Sequence, residues 1–150
     1  MAGGRKITAH CAAAFLLTFA ADQASKFAVL RLGYSASFNS GVSFGFFSGA
    51  KPLTLTALNI AVAALLLFLA VSFARERGAA FRIGCGMMLG GAAGNLADRL
   101  FRGRVTDWLP LPFSDLFFSN GLWVNAADIF LILGSAALFF DIVKEIKWDS

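Results

Sequence analysis

Four apolar stretches, each about as long as a membrane-crossing helix, constrain this chain more than anything else in it. A helix rises about 1.5 Å per residue, so roughly 20 apolar residues cover the ~30 Å hydrocarbon core of a bilayer. Such stretches fall near residues 8–29, 53–74, 80–101 and 123–143. A 150-residue chain that is 58% hydrophobic and 14% aromatic, with a mean hydropathy of +0.72, has more apolar surface than a soluble core of its size can enclose. The expected fold is an all-α membrane protein with four transmembrane helices. One integral membrane domain then occupies residues 1–150, with no room for a soluble domain.

The first stretch has an alternative reading as a cleaved signal peptide, because Arg5 and Lys6 precede an apolar run containing Ala20 and Ala21. Against it, the run is long, and Asp22 and Lys26 stand four residues apart inside it, on one helical face where they can pair. A leader to be discarded has no use for such a pair. Basic residues divide almost evenly between the two sides of the bundle. The turn "ARERGAAFR" (residues 74–82) is the most basic of the short connections, which puts it and both termini in the cytoplasm. The longer connections, 30–52 and 102–122, then face outward.

Those outward segments are rich in aromatics, Gly, Ser and Pro. "LPLPFSDLFFSNGLWV" reads as short strands and turns at the membrane surface, and Arg31 to Lys51 as a second small sheet with Gly41 and Gly45 as points of freedom. Trp123 marks the interface. The net charge of +4 suits an anionic membrane surface, and nothing points to nucleic acid. Cys11 and Cys85 lie in separate predicted spans without CxxC spacing, and His10 is the single histidine; the pattern predicts neither a metal site nor a disulfide. Gly86, Gly90 and Gly94 recur every four residues, a spacing that lets a second helix approach closely.

Chemistry must come from the few polar residues in or beside the spans. Asp22 and Lys26 lie toward the outer end of the first, Asn95, Asp98 and Arg99 toward that of the third, and Asn125 and Asp128 toward that of the fourth; Asp107 follows the third span. With the assigned topology they converge at one depth. Ionisable groups in a membrane are expensive and mark functional sites unless they are structural ion pairs. Asp22 with Lys26 fits a structural salt bridge better than a catalytic element. Asn95, Asp98 and Arg99 fit a helix-end network as well as direct chemistry. Asp107 and Asp128 differ, because neither has a basic residue at helical spacing in its own element.

If Asp107 and Asp128 meet across the bundle, they cannot both ionise cheaply, so one pKa rises and the pair shares a proton. Such a pair hydrolyses a peptide bond when the ionised member takes a proton from water and the protonated member donates to the carbonyl oxygen. Paired carboxylates in a membrane also serve proton- or cation-coupled transport, which is the rival reading. Transport sites favour the midplane and often come with internal repeats, and the chain has neither a repeat nor a midplane acid in its second or fourth span. A purely structural subunit leaves the convergence of polar groups unexplained.

The order "DQASK" (22–26), "NSGVSFG" (39–45), "GNLADR" (94–99), "VTD" (105–107) and "VNAAD" (124–128) resembles the lipoprotein signal peptidases, also called signal peptidase II. The likeness covers essentially the whole chain, and five motifs in order are far more specific than any one alone. It implies a bacterial inner-membrane aspartyl endopeptidase that cuts prolipoproteins immediately before a diacylglyceryl-modified cysteine. It further implies Asp107 and Asp128 as the catalytic pair, and Asn39, Asn95, Asp98, Arg99 and Asn125 as residues lining or bracing the site. Asp22 and Lys26 match a pair assigned to stability or substrate contact. No cofactor or metal is implied, the partners are lipidated prolipoproteins and membrane lipids, and a monomer is the expected state. Thr106 stands where the family often has Val, and Val124 where it usually has Phe; both bear on substrate fit.

A signal peptide crosses the membrane as a helix with its backbone bonds satisfied internally, so its scissile bond must be opened near the interface before water attacks. That requirement accounts for carboxylates at the outer ends of spans. Side-chain amides such as Asn39 and Asn125 suit the backbone groups so exposed. Arg99 has two readings, as an anchor for a lipid phosphate or as a helix-end partner of Asp98.

Overall fold

A computed structural model describes residues 2–39, 52–73, 76–116, 118 and 121–148. The four apolar stretches form four long helices: α1 (Ala2–Leu32), α2 (Pro52–Phe73), α3 (Ala79–Arg102) and α4 (Ala126–Trp148). Between them run four short strands, β1 (Ser37–Asn39), β2 (Val105–Asp107), β3 (Leu109–Pro110) and β4 (Trp123–Val124). Among the described residues three segments, Ala9–Leu32, Leu53–Phe73 and Ala126–Lys144, are long and apolar enough to cross a membrane.

Helix α3 has the length but not that composition, since it contains five glycines together with Arg82, Asp98, Arg99 and Arg102. Its position gives the physical reason: it packs against α1, α2 and α4, so protein rather than lipid surrounds much of it. The glycines make that position possible. Gly86, Gly90 and Gly94 face α1, where a Cβ at Gly90 would lie 2.7 Å from the Phe15 carbonyl oxygen. Gly84 and Gly91 face α4. A Cβ at Gly91 would lie 2.7 Å from the Ala127 carbonyl, and Gly84 and Gly134 lie against each other's carbonyls at that same distance. The expected small-residue contact is therefore present and has a second face.

Polarity runs opposite to that of a soluble protein. The largest fully buried side chains are Lys26, Asn125, Thr106, Asp22, Asp98 and Cys85, while Leu17, Leu53, Val71 and Phe139 are exposed. Cys85 packs with Ala70 and Phe81, and Cys11 lies against that group; both thiols are free.

At the end of the bundle where α3 stops and α4 starts, two antiparallel ribbons form. Strand β1 pairs with β2 in the register Ser37↔Asp107, Phe38↔Thr106, Asn39↔Val105, and β3 pairs with β4 through Leu109↔Val124 and Pro110↔Trp123. Gly103, at φ 72°, ends α3 in the left-handed conformation, its N–H bonding the Arg99 carbonyl, and sends the chain straight into β2. The Ser114 hydroxyl donates to the Leu111 carbonyl and accepts from the Leu122 N–H, both at 2.7 Å, which closes the loop between β3 and β4.

Two expected boundaries move. Trp123 and Val124 belong to a strand, not to the start of the fourth span, because Asn125 caps α4 and delays the helix to Ala126. Arg31 and Leu32 still belong to α1, so the expected Arg31–Lys51 sheet begins only at Ser37; its remainder from Ser40, with Gly41 and Gly45, lies outside the described residues.

Candidate active site

Asp22 and Lys26 form the intrahelical pair that their spacing predicts, at 2.9 Å and with both side chains fully buried. The ammonium has two further acceptors on α3, Asp98 Oδ2 at 3.2 Å and Asn95 Oδ1 at 3.0 Å. Asp98 also pairs with Arg102 one turn on, and its Oδ2 accepts the Thr106 N–H at 2.9 Å, tying α3 to β2. Asp22 Oδ1 accepts the Ala127 N–H at 3.0 Å, a carboxylate at the N-terminus of α4. Two anions and two cations thus join three helices and a strand. A buried ion cluster of this kind is tolerated because each charge has an opposite partner and most lone pairs have donors.

Beside the ions lies a chain of amides. Asn125 is the N-cap of α4: its Oδ1 accepts the Asp128 N–H at 3.0 Å, while Asp128 Oδ2 accepts the Asn125 N–H at 3.3 Å. This reciprocal arrangement is a capping box in which an aspartate stands at the third helical position. The Asn125 amide nitrogen donates to Asp107 Oδ1 at 2.6 Å and to Asn95 Oδ1 at 3.2 Å. The amide nitrogen of Asn95 donates to Asp128 Oδ1 at 3.2 Å. Asn39, opposite Val105 in the ribbon and on the same side as Asp107, hydrogen-bonds the Asp107 carboxylate. Arg99 donates to the Asn95 carbonyl at 3.4 Å and lies within electrostatic range of Asp107, Asp128 and Asp98.

Asp107 and Asp128 are 2% and 8% exposed, so water reaches each of them only sparingly. Burial pushes the Asp107 carboxyl up to about 6, and the negative charge of Asp128 adds to the rise. Hydrogen bonds from Asn125 and Asn39 and the positive charge of Lys26 oppose it. Two carboxylates that repel one another in a buried, amide-bridged cluster, one of them raised to about 6, have the chemistry for general acid–base work.

All nine residues singled out in the sequence, Asp22, Lys26, Asn39, Asn95, Asp98, Arg99, Asp107, Asn125 and Asp128, converge on this end of the bundle. Asn125, expected to line or brace the site, has its amide committed to Asp107, Asn95 and the helix cap. Gln23 and Trp108 were not anticipated, and Thr106 was expected only to bear on substrate fit. Gln23 donates to Asp22 Oδ2 and to the Gly94 carbonyl, binding α1 to α3. Among the described residues the fully buried Thr106 hydroxyl has no partner, and neither has the buried Trp108 indole N–H. Only the capping box carried a sequence signal, Asn and Asp three residues apart at a helix start. Among the described residues no group of three or more His, Cys, Asp or Glu is placed to hold a metal ion.

Fold and site together define a helical membrane protein with a buried, amide-bridged carboxylate pair. The chain belongs to the signal peptidase II family: the family model for signal peptidase (SPase) II matches residues 14–144. Lipoprotein signal peptidases of Symbiobacterium thermophilum and Rhodopseudomonas palustris are 33% and 35% identical, each over 70% of this chain. The matched part spans just under two thirds of those relatives, 66% and 65% of their lengths. The Burkholderia cenocepacia lipoprotein signal peptidase is 30% identical over 88% of this chain and 86% of its own. A bacterial membrane enzyme solved by the in meso method at 2.3 Å has the same fold, with a TM-score of 0.79 over 93% of this chain and 91% of that one at 19% identity. The transport reading gains no support from these relationships.

Proposed function

We propose that this chain is a membrane-embedded aspartyl endopeptidase that removes the signal peptide from diacylglyceryl-modified prolipoproteins, cutting on the N-terminal side of the lipidated cysteine. The observation that carries the reading is the burial of Asp107 and Asp128 in one amide-bridged cluster of a signal peptidase II family member. One carboxylate takes a proton from water as the water oxygen attacks the scissile carbonyl; the other donates its proton to the carbonyl oxygen. Neither a side-chain nucleophile nor a cofactor is needed.

In this reading α3 crosses the bilayer with the three more apolar helices, giving four spans in a single domain. Both termini lie in the cytoplasm, and the site opens at the outer face of the bacterial cytoplasmic membrane. Asn39 and Arg99, at the rim of the cluster, contact substrate; Asn95, Asp98 and Asn125 brace the pair; Asp22 and Lys26 hold the bundle end together. The enzyme works as a monomer, with lipid and lipidated prolipoprotein as its partners. The location at the ends of helices follows from chemistry: a signal-peptide helix must be unwound to expose its scissile bond, and the interface is the place where water and unpaired backbone can meet.

The test incubates purified protein with lipidated and unlipidated prolipoprotein, with and without chelator, and follows the product by gel shift. Cleavage confined to the lipidated form and indifferent to chelator is expected. Equal cleavage of both forms, or loss of activity with chelator, contradicts the reading.

A further inference from the structure

The hydrogen-bond donors around the two carboxylates are not equivalent. Lys26 has only donors, so the Asn95 atom it meets at 3.0 Å is the oxygen, and the nitrogen of that amide is thereby turned to Asp128 Oδ1. The second oxygen of Asp128 faces the backbone N–H of Asn125. Neither donor can reverse: one amide is held by an ammonium ion and the other donor is main chain. Asp107 is placed differently. Its Oδ1 faces the Asn125 amide nitrogen, whose orientation is fixed because Asn125 Oδ1 accepts the Asp128 N–H. Its other partner is the Asn39 side chain, an amide that offers an oxygen to a protonated acid as well as an N–H to an ionised one.

We propose that Lys26, acting through Asn95 as a positioning residue, fixes the division of labour in the pair, so that Asp128 is the ionised base and Asp107 holds the shared proton. The inference rests on the peptidase reading above. Asp128 takes a proton from water, the resulting hydroxide oxygen bonds to the carbonyl carbon, and the Asp107 proton passes to the carbonyl oxygen. A neutral gem-diol results. Asp128 then returns its proton to the leaving nitrogen as the C–N bond breaks, and Asp107 recovers one from a diol hydroxyl, leaving a carboxylic acid, an amine and the starting enzyme. The positive charge of Lys26 acts on Asp107 as well, in the direction that favours ionisation. The other charged groups around the pair are Asp22 on α1 and Asp98, Arg99 and Arg102 on α3; α2, β1, β3 and β4 contribute none among the described residues.

Replacing Lys26 alone leaves the buried Asp22 carboxylate without its cation, so the test uses the charge-neutral double substitution Lys26→Met with Asp22→Asn, which leaves Asp98 paired with Arg102. Full-length protein in detergent is assayed on a synthetic lipopeptide carrying a diacylglyceryl cysteine, and kcat/KM is followed against pH with melting temperature as a control for folding. The acid limb is expected to move to higher pH by roughly half a unit, because the cation removed meets Asn95, which bonds Asp128, while the anion removed with it bonds Gln23 and the Ala127 N–H and neither carboxylate of the pair. In parallel, Asp107→Asn, which keeps an N–H donor where the proton was, is expected to retain at least about tenfold more residual turnover than Asp128→Asn. An unmoved limb in folded double variant, or more residual turnover in Asp128→Asn, overturns the inference. If the double variant does not fold, the two single variants decide. A wild type that never cleaves the lipopeptide sinks the peptidase reading itself, an outcome distinct from both.

Discussion

Asn125 donates to Asp107 at 2.6 Å while capping the helix that carries Asp128. One side chain thus fixes the strand-borne carboxylate and the first turn of α4 to each other. The two carboxylates come from different elements, β2 and α4, and the amide ties one to the other. The ion cluster of Asp22, Lys26, Asp98 and Arg102 lies behind it and holds the helix ends in place.

Asp98 serves three donors of that cluster at once. Asp98→Ala removes an acceptor from Lys26, from Arg102 and from the Thr106 N–H at once. Truncating one partner of a buried charge group costs about 3–5 kcal/mol. A large drop in melting temperature in detergent is expected, and a variant melting with the wild type contradicts the cluster's structural role.

Thr106 supplies a test with the opposite sign. Its backbone serves Asp98, but its hydroxyl is buried with no partner among the described residues, which costs about 1–3 kcal/mol relative to an apolar group of the same shape. Thr106→Val keeps the backbone bond and removes the orphan. A melting temperature equal to or above that of the wild type is expected; a clear loss of stability would show that the hydroxyl has a partner after all.

Helix α3 is where composition misleads and packing explains. Ala has about 1 kcal/mol more helix propensity than Gly, yet a Cβ at Gly91 would sit 2.7 Å from the Ala127 carbonyl oxygen. Backbone cannot give as a flexible side chain can, so the clash outweighs the propensity gain. Gly91→Ala is expected to lower thermal stability and, because Ala127 adjoins Asp128, turnover as well. A stabilised variant would mean that α3 and α4 are less closely apposed.

The raised pKa of Asp107 has two consequences of known sign. Its folded value of about 6 lies above the ordinary carboxylate value, so ionisation works against the fold, and this group's contribution to stability declines as pH rises through that window. The Asn39 hydrogen bond opposes the rise. Asn39→Ala therefore pushes the carboxyl higher, and the alkaline limb of kcat/KM, where the shared proton is lost, moves to higher pH. A shift to lower pH contradicts the assignment.

Much of this arrangement was legible in the chain because membrane solvation makes polar residues rare and therefore conspicuous. Apolar length located the four helices, and the spacing of Asp22 and Lys26 gave their pair. The partners of Lys26 on α3 were not legible, since contacts between helices depend on rotation and depth that no local spacing records. Nor was the strand at Trp123 and Val124: an apolar run entering an apolar helix looks continuous until the cap at Asn125 is recognised. The Asn and Asp three apart carry that signal, since an N-cap amide and an N3 carboxylate can close a capping box.

Turnover by the two single-amide variants tests the carboxylate pair most directly. Asp107→Asn and Asp128→Asn keep size and shape, so both should accumulate in the membrane as folded protein. Cleavage of a diacylglyceryl-modified prolipoprotein per folded molecule is expected to fall at least ~1,000-fold in each, in line with the loss of a paired acid or base. Turnover near the wild-type rate by either folded variant would contradict the carboxylate pair as the catalytic centre.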